Sequence, residues 1–189
     1  LLSSTILTYG EIDFSNDVKI YGKVKKVTKI SKDNYTLIND VNEIEVWLKE
    51  AEEIGEICID SETTSLDPHQ ADLVGISIST KIGHACYIPV GHKKGNNLDE
   101  TNVIKILKNT LEDSSIKKIG QNIKFDYIVF YQRGIDMNCL EDTMLMSYVL
   151  DSGKNRHNMD TLSKIHLDHN PITFKEIVGT GKKQINFSE

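Results

Sequence analysis

The chain has 189 residues, with 22 Lys and Arg against 28 Asp and Glu for a net charge of −6, and 39% hydrophobic against 26% charged residues. That balance fits one globular domain of roughly 100–200 residues, which buries a core without disulfides or a structural metal. It excludes a broad basic face gripping duplex DNA, which needs clustered Lys and Arg. With no apolar stretch longer than five residues, it also excludes a membrane-spanning helix, which needs about 18.

In residues 1–33, Val18, Ile20, Val24, Val27 and Ile30 are interleaved with Lys19, Lys23, Lys25, Lys26 and Lys29. This stretch reads as a linker or N-terminal extension whose basic run is a solvated face. From Asp40 onward Val41, Ile44, Trp47, Leu48, Ala51 and Ile54 recur at helical spacing. Asp40 and Glu43 have capping-box-like spacing, so a helix over 41–53 is predicted, ended by Gly55. Strand-like segments follow at 56–61, 73–80 and 85–90, and the short link Lys81-Ile82-Gly83-His84 predicts antiparallel neighbours. Asp99 caps a helix whose Val103, Ile104, Leu107 and Leu111 form one face. A short strand over 116–120 runs directly into a helix over 122–133, and further helices are predicted over 140–151 and 158–167. Three hairpin-like strands followed by helix-strand-helix predict an α/β fold, a mixed β-sheet flanked by α-helices. Cys58, Cys86 and Cys139, odd in number and set among apolar neighbours, read as reduced core thiols of a cytoplasmic protein. Met137, Met144, Met146 and Met159 read as core and groove packing. The sequence opens on Leu1 and residues 185–189 hold no closing element. It is therefore read as a piece of a longer polypeptide, with a domain over 34–189 that is incomplete at its C-terminal side.

Two segments carry candidate chemistry. In Ile57-Cys58-Ile59-Asp60-Ser61-Glu62 an apolar strand runs into two carboxylates, and their two-residue spacing projects both from one face. Such a pair drives its members toward neutrality unless a cation lies between them, and Mg²⁺ typically takes one or two carboxylates. The alternative is that Asp60 merely opens the polar turn 61–67. In the second segment Asn122 and Asp126 are four apart, which places them on one helical face at the helix's N-terminal end; the alternative is a capping Asn and a surface Asp. With both strands in one sheet, Asp60, Glu62 and Asp126 can meet around one point, as in a two-metal phosphodiesterase. His166 and His169 with Asp168 lie at a helix end and a loop and are not read as a metal cluster.

Together, Asp60-Ser61-Glu62-Thr63-Thr64-Ser65-Leu66-Asp67 and Gly120-Gln121-Asn122-x-Lys124-Phe125-Asp126 resemble the first and second motifs of the 3′→5′ proofreading exonuclease domain of bacterial DNA polymerase I. The likeness continues through Ala85-Cys86-Tyr87-Ile88-Pro89-Val90, Asp142-Thr143-Met144, Arg156-His157-Asn158-Met159-Asp160 and Ile172-Thr173-Phe174-Lys175-Glu176-Ile177, covering residues 34–187 in order. The resemblance implies an RNase H-like fold and two divalent cations, Mg²⁺ or Mn²⁺. Asp60 would be their shared ligand, with Glu62 on one ion and Asp126 serving the other through water. It further implies that Leu66 and Phe174 wedge or stack against the 3′-terminal nucleotide. Thr63, Gln121, Asn122, Phe125 and Arg156 would line the path of a single-stranded or frayed 3′ end of DNA; His157, beside Arg156, reads either as a further residue on that path or as a helix cap. The implied protein is a monomer with a polymerase domain in the same polypeptide and no membrane partner.

Phe125 stands where many relatives carry Tyr, so a hydroxyl contact to phosphate is absent. The family's third motif, Tyr-x-x-x-Asp, does not occur after Phe125, and this chain is therefore expected to bind metal weakly and cut poorly. An RNase D-like RNA 3′-exonuclease would use the same carboxylates, but Gln121-Asn122 and Arg156-His157-Asn158-Met159 look more like the polymerase group. A non-catalytic spacer domain is the remaining alternative; Asp60, Glu62 and Asp126 are all present, which counts against it.

Overall fold

The computed structural model describes residues 35–181 and 184–189, so the reading of residues 1–33 lies outside them. Six strands, β1 (Tyr35–Leu37), β2 (Glu56–Thr63), β3 (Leu73–Lys81), β4 (His84–Pro89), β5 (Lys117–Gly120) and β6 (Leu140–Asp142), form one sheet in the order β1-β4-β3-β2-β5-β6. β3 is antiparallel to both β2 and β4, whereas β1 runs parallel to β4, and β2, β5 and β6 run parallel in turn. The mixed sheet and its two antiparallel neighbour pairs are those that the short connections predict. Helices α1 (Ile44–Ile54), α2 (Glu100–Glu112), α3 (Lys124–Tyr131), α4 (Thr143–Asp151), α5 (Met159–Leu167) and α6 (Phe174–Val178) complete the described elements. None of them is long and apolar enough to cross a membrane.

Local chemistry sets the helix ends. The Asp40 carboxylate accepts from the Asn42 N–H at 2.8 Å and starts a 3₁₀ turn over Val41–Glu43 that leads into α1. Gly55, at φ +81°, ends α1 in the left-handed conformation that glycine adopts without a Cβ penalty. The Asp99 carboxylate accepts from the Asn102 N–H at 2.9 Å and caps α2. The buried stripe of α1 (Ile44, Trp47, Leu48, Ala51) and that of α2 (Val103, Ile104, Leu107, Leu111) join one main core with Ile57, Ile59, Ile76, Ile78 and Ile88 of the sheet. On β2 the alternating residues Cys58, Asp60 and Glu62 face the other way. There Cys58 and Ile119 form a small cluster covered by Met159 of α5, and past it the sheet face is open enough to leave Asp60 and Glu62 partly exposed.

Four expectations need correction. Helix α3 begins at Lys124 rather than 122, because Asn122 adopts φ +60°. Helix α4 begins at Thr143 rather than 140, because residues 140–142 pair with β5 as an edge strand. Cys139 is exposed rather than a core thiol; at φ +54° it turns the chain into β6 at the sheet edge. The helix Phe174–Val178, absent from the predicted elements, is present and closed by a capping box between Thr173 and Glu176.

Lys118 is fully buried in β5. Its ammonium donates to the carbonyls of Asp113 at 2.5 Å and Ile116 at 2.7 Å, clamping the turn that feeds the strand. Replacing it with Met keeps the stem and strands two carbonyls, so Lys118→Met is expected to destabilise the chain by on the order of 2–3 kcal/mol in urea unfolding. A change below about 0.5 kcal/mol would show that the clamp contributes nothing, since only surface substitutions are that mild.

Candidate active site

The site is built where β5 leaves the sheet. The parallel pairing of β2 with β5 ends at Cys58↔Ile119, so Ser61, further along β2, has no strand on that side. Asp126 from α3 fills the gap: its Oδ1 accepts from the Ser61 N–H at 2.8 Å and from the Ser61 hydroxyl at 2.6 Å. Asp60 and Glu62 flank Ser61 and project from the same face of the strand, opposite Ser77 and Gly75 of β3. A β-bulge between Glu62 and Thr63 then redirects the chain, a device common beside active sites. The three carboxylates are thus gathered around one serine.

Their electrostatics follow from burial and mutual repulsion. Burial pushes Asp60 well above the ordinary carboxylate range, and the charges of Asp126 and Glu62 push it further. Burial likewise raises Glu62. Asp126, only 2% exposed, is raised by burial to about 6, although its two bonds from Ser61 pull the other way. Among the described residues no cationic side chain or hydrogen-bond donor meets the carboxylates of Asp60 or Glu62. Nor do three His, Cys, Asp or Glu side chains among those residues stand in an arrangement that by itself holds a metal ion. Asp126 is turned toward Ser61. The donor set nonetheless fits a hard divalent cation: carboxylate oxygens, largely desolvated and met by no cationic side chain among the described residues.

The other predicted residues fall into two groups. Asn122 does not share a helical face with Asp126, because it precedes the helix in the left-handed region. The anion at that helix N-terminus is the chain's own Asp142, which accepts from the N–H groups of Asn122 at 2.9 Å and Ile123 at 3.1 Å and caps α4 through Met144 at 2.9 Å and Leu145 at 3.4 Å. Gln121 is spent internally, its amide donating to the His157 carbonyl at 2.7 Å and accepting from the Thr143 hydroxyl at 2.5 Å. His157 Nδ1 lies 2.9 Å from the Ser147 hydroxyl and its ring meets Tyr148 edge-on. The Thr63 hydroxyl donates to the Ser65 carbonyl at 3.0 Å, and Phe125 packs partly against the main core. Leu66, Arg156 and Phe174 are exposed, as an encounter with a ligand requires.

Asp142 is the residue whose role the sequence conceals: it follows no local capping pattern for α3, twenty residues upstream. Asp142→Ala would orphan four backbone N–H groups at two helix starts. It is expected to cost on the order of 2–4 kcal/mol in thermal or urea unfolding, two caps' worth. Asp142→Asn, which keeps the acceptor oxygen, should cost less; equal losses would assign the effect to charge alone.

Residues 35–189 match the sequence profile described as 3′-5′ exonuclease. The chain belongs to the 3′-5′ exonuclease domain family. Among curated relatives, the exonuclease domain is 40% identical over 162 residues to DNA polymerase I of Pseudomonas aeruginosa, covering 82% of this chain and 18% of that protein. It is 38% identical over 174 residues to DNA polymerase I of Rhizobium leguminosarum, covering 81% and 17%. The chain therefore spans less than a fifth of these relatives' length. Among solved structures it is similar to the Nibbler EXO domain of Aedes aegypti, with TM-score 0.62 and 11% identity over 85% of this chain and 83% of that one. Brucella melitensis NrnC with bound Mg²⁺ gives TM-score 0.54 and 23% identity over 74% of this chain and 64% of that one. At these identities the likeness establishes the fold of the exonuclease domain, which is RNase H-like.

Proposed function

We propose that this exonuclease domain is the proofreading unit of a DNA polymerase I and removes nucleotides from a single-stranded or frayed 3′ end of DNA by metal-dependent phosphodiester hydrolysis. The observation that carries the reading is the gathering of Asp60, Glu62 and Asp126 around Ser61 with no internal counter-charge among the described residues. Asp60, Glu62 and Asp126 would hold two divalent cations, Mg²⁺ or Mn²⁺. When bound, the cations supply Lewis acidity, making hydroxide available near neutral pH and offsetting charge on the leaving 3′-oxygen.

The chain's own residues do the rest. Ser61 fixes one oxygen of Asp126 and so aims the other carboxylate oxygen. Exposed Leu66 and Phe174 offer apolar and aromatic surface to an unpaired terminal base, and stacking of that kind is worth about 1–3 kcal/mol per base without reading sequence. A mispaired end frays at smaller cost than a paired one, so the same site discriminates errors. The polymerase domain expected in the same polypeptide would supply those ends.

The test is the shortening of a 5′-labelled single-stranded DNA in Mg²⁺, with EDTA as the blank and a ribo-oligomer of the same sequence alongside. A longer polypeptide that adds a Tyr-x-x-x-Asp segment is compared with the present chain. Stepwise, Mg²⁺-dependent shortening of DNA, fast in the longer form and slow in this chain, is the expected result. Preference for the ribo-oligomer would move the reading to an RNA 3′-exonuclease, and folded protein that cuts neither substrate in either form would leave a spacer domain.

A further inference from the structure

A second set of side chains borders Glu62. Tyr87 of β4 lies on the sheet face that carries Asp60 and Glu62, because Asp60↔Ser77 and Ser77↔Tyr87 are direct cross-strand pairs. Its ring folds over Gly75, the residue opposite Glu62. A Cβ at Gly75 would stand 1.9 Å from the Tyr87 hydroxyl, so glycine is what allows the ring to lie there. Burial, and secondarily the charge of Glu62, raises the phenol's pKa and keeps it a donor. The hydroxyl sits 2.7 Å from Nε2 of His92, whose pKa burial lowers toward the neutral ring.

From His92 the contacts continue outward. The His92 ring lies 6.1 Å from that of Phe187, and Phe187 stacks on Phe174 at 6.2 Å and 12°. The loop that carries His92 is itself held: Asn97 accepts from the His92 N–H at 2.8 Å and donates to its carbonyl at 2.6 Å. Next to it, the Lys93 N–H donates to the Ser188 carbonyl at 2.7 Å, and the Lys93 ammonium pairs with Glu189. One loop thus clasps the segment that backs Phe174, while Phe174 keeps 54% of its surface open.

We propose that Tyr87 and His92 are positioning residues for the 3′-terminal nucleotide: seated on Gly75, they hold Phe187, and through it the open face of Phe174, in fixed register with Glu62. Neither touches the reacting atoms. The pair ties the aromatic platform to the strands that carry the carboxylates, so that the stacked base and the scissile phosphate are placed by one rigid unit. This rests on Phe174 stacking against the terminal base.

The experiment uses the full chain with a single-stranded DNA that carries 2-aminopurine at its 3′ end and a dye at its 5′ end, in Ca²⁺ so that the strand stays intact. Quenching of 2-aminopurine reads stacking, and anisotropy of the dye reads binding. Tyr87→Phe and His92→Ala are each expected to relieve the quench and to weaken binding roughly two- to tenfold, the range of one lost hydrogen bond. The double variant should be no worse than the weaker single, since the two act as a unit. A strand with an abasic 3′ terminus should bind the wild type and both variants equally, a distinction that a merely structural role would not produce. Tyr87→Phe removes only a hydroxyl and decides the matter if His92→Ala fails to fold. Wild-type quench in both variants, with loss in Phe174→Ala, would overturn the strut and leave the stacking reading standing. Undiminished quench in Phe174→Ala as well would overturn both.

Discussion

Asp60→Ala, made in the longer polypeptide that adds a Tyr-x-x-x-Asp segment, is expected to abolish Mg²⁺-dependent shortening of single-stranded DNA while leaving the protein folded. Asp60 is the carboxylate on which repulsion converges, since burial and both neighbouring charges raise it. A group so placed is costly in the metal-free protein and useful only with a cation present. Removing an outer-shell partner of a metal ligand typically lowers affinity or activity about 10–100-fold, so removing Asp60, proposed as the ligand of both cations, should lower activity by more than about 100-fold. A second readout needs no catalysis: Mg²⁺ should raise the melting temperature of the wild type by binding the folded state alone, and should not raise that of Asp60→Ala. Retention of both activity and the Mg²⁺-dependent shift would remove Asp60 from the site.

Asp126 gives the second large effect, a pH dependence opposite to that of a salt-bridged carboxylate. Its value in the folded, metal-free chain is about 6 against an ordinary 3.8. The folded state therefore keeps a proton that the unfolded chain releases, and the stability tied to this group is full below about pH 4 and is lost as pH rises through about 6. Between these limits this group should pull the metal-free melting temperature down as pH rises, and Mg²⁺ at neutral pH should restore that loss. Asp126→Asn keeps an acceptor for Ser61 and removes the charge. It should remove this group's share of that slope and raise metal-free stability at pH 7 by on the order of 2 kcal/mol, at the expense of the Mg²⁺ response. A wild type whose metal-free melting temperature falls no more steeply with pH over this window than that of Asp126→Asn would contradict the burial of an ionised Asp126.

Much of this architecture is legible in residue order because it is local. Asp40, Gly55 and Asp99 mark helix ends by hydrogen bonds to nearby backbone, and the alternation of Ile57 and Ile59 with Cys58, Asp60 and Glu62 marks a strand with two unlike faces. The elements that escape are those made by tertiary contact. The strands Tyr35–Leu37 and Leu140–Asp142 are three residues each, too short to show a period, and exist because a neighbouring strand offers its edge. Asn122 reads as helical by spacing, yet the Asp142 carboxylate fixes its N–H before the helix begins. Lys118 looks like a surface lysine, and only the folded turn supplies carbonyls for its ammonium. For the site, the pairing of Asp60 with Glu62 follows from a two-residue repeat, whereas Ser61 as the anchor of Asp126 depends on β5 ending where it does.

The double cap at Asp142 is expected to make α3 and α4 open together. Since one carboxylate holds the first N–H groups of both approaches, the amides of Asn122, Ile123 and Met144 should exchange with solvent deuterium as a single cooperative unit. Fraying of α4 would then release the stretch that leads to Asp126, and the rate at which the peripheral helix breathes would set how long the acidic centre stays assembled.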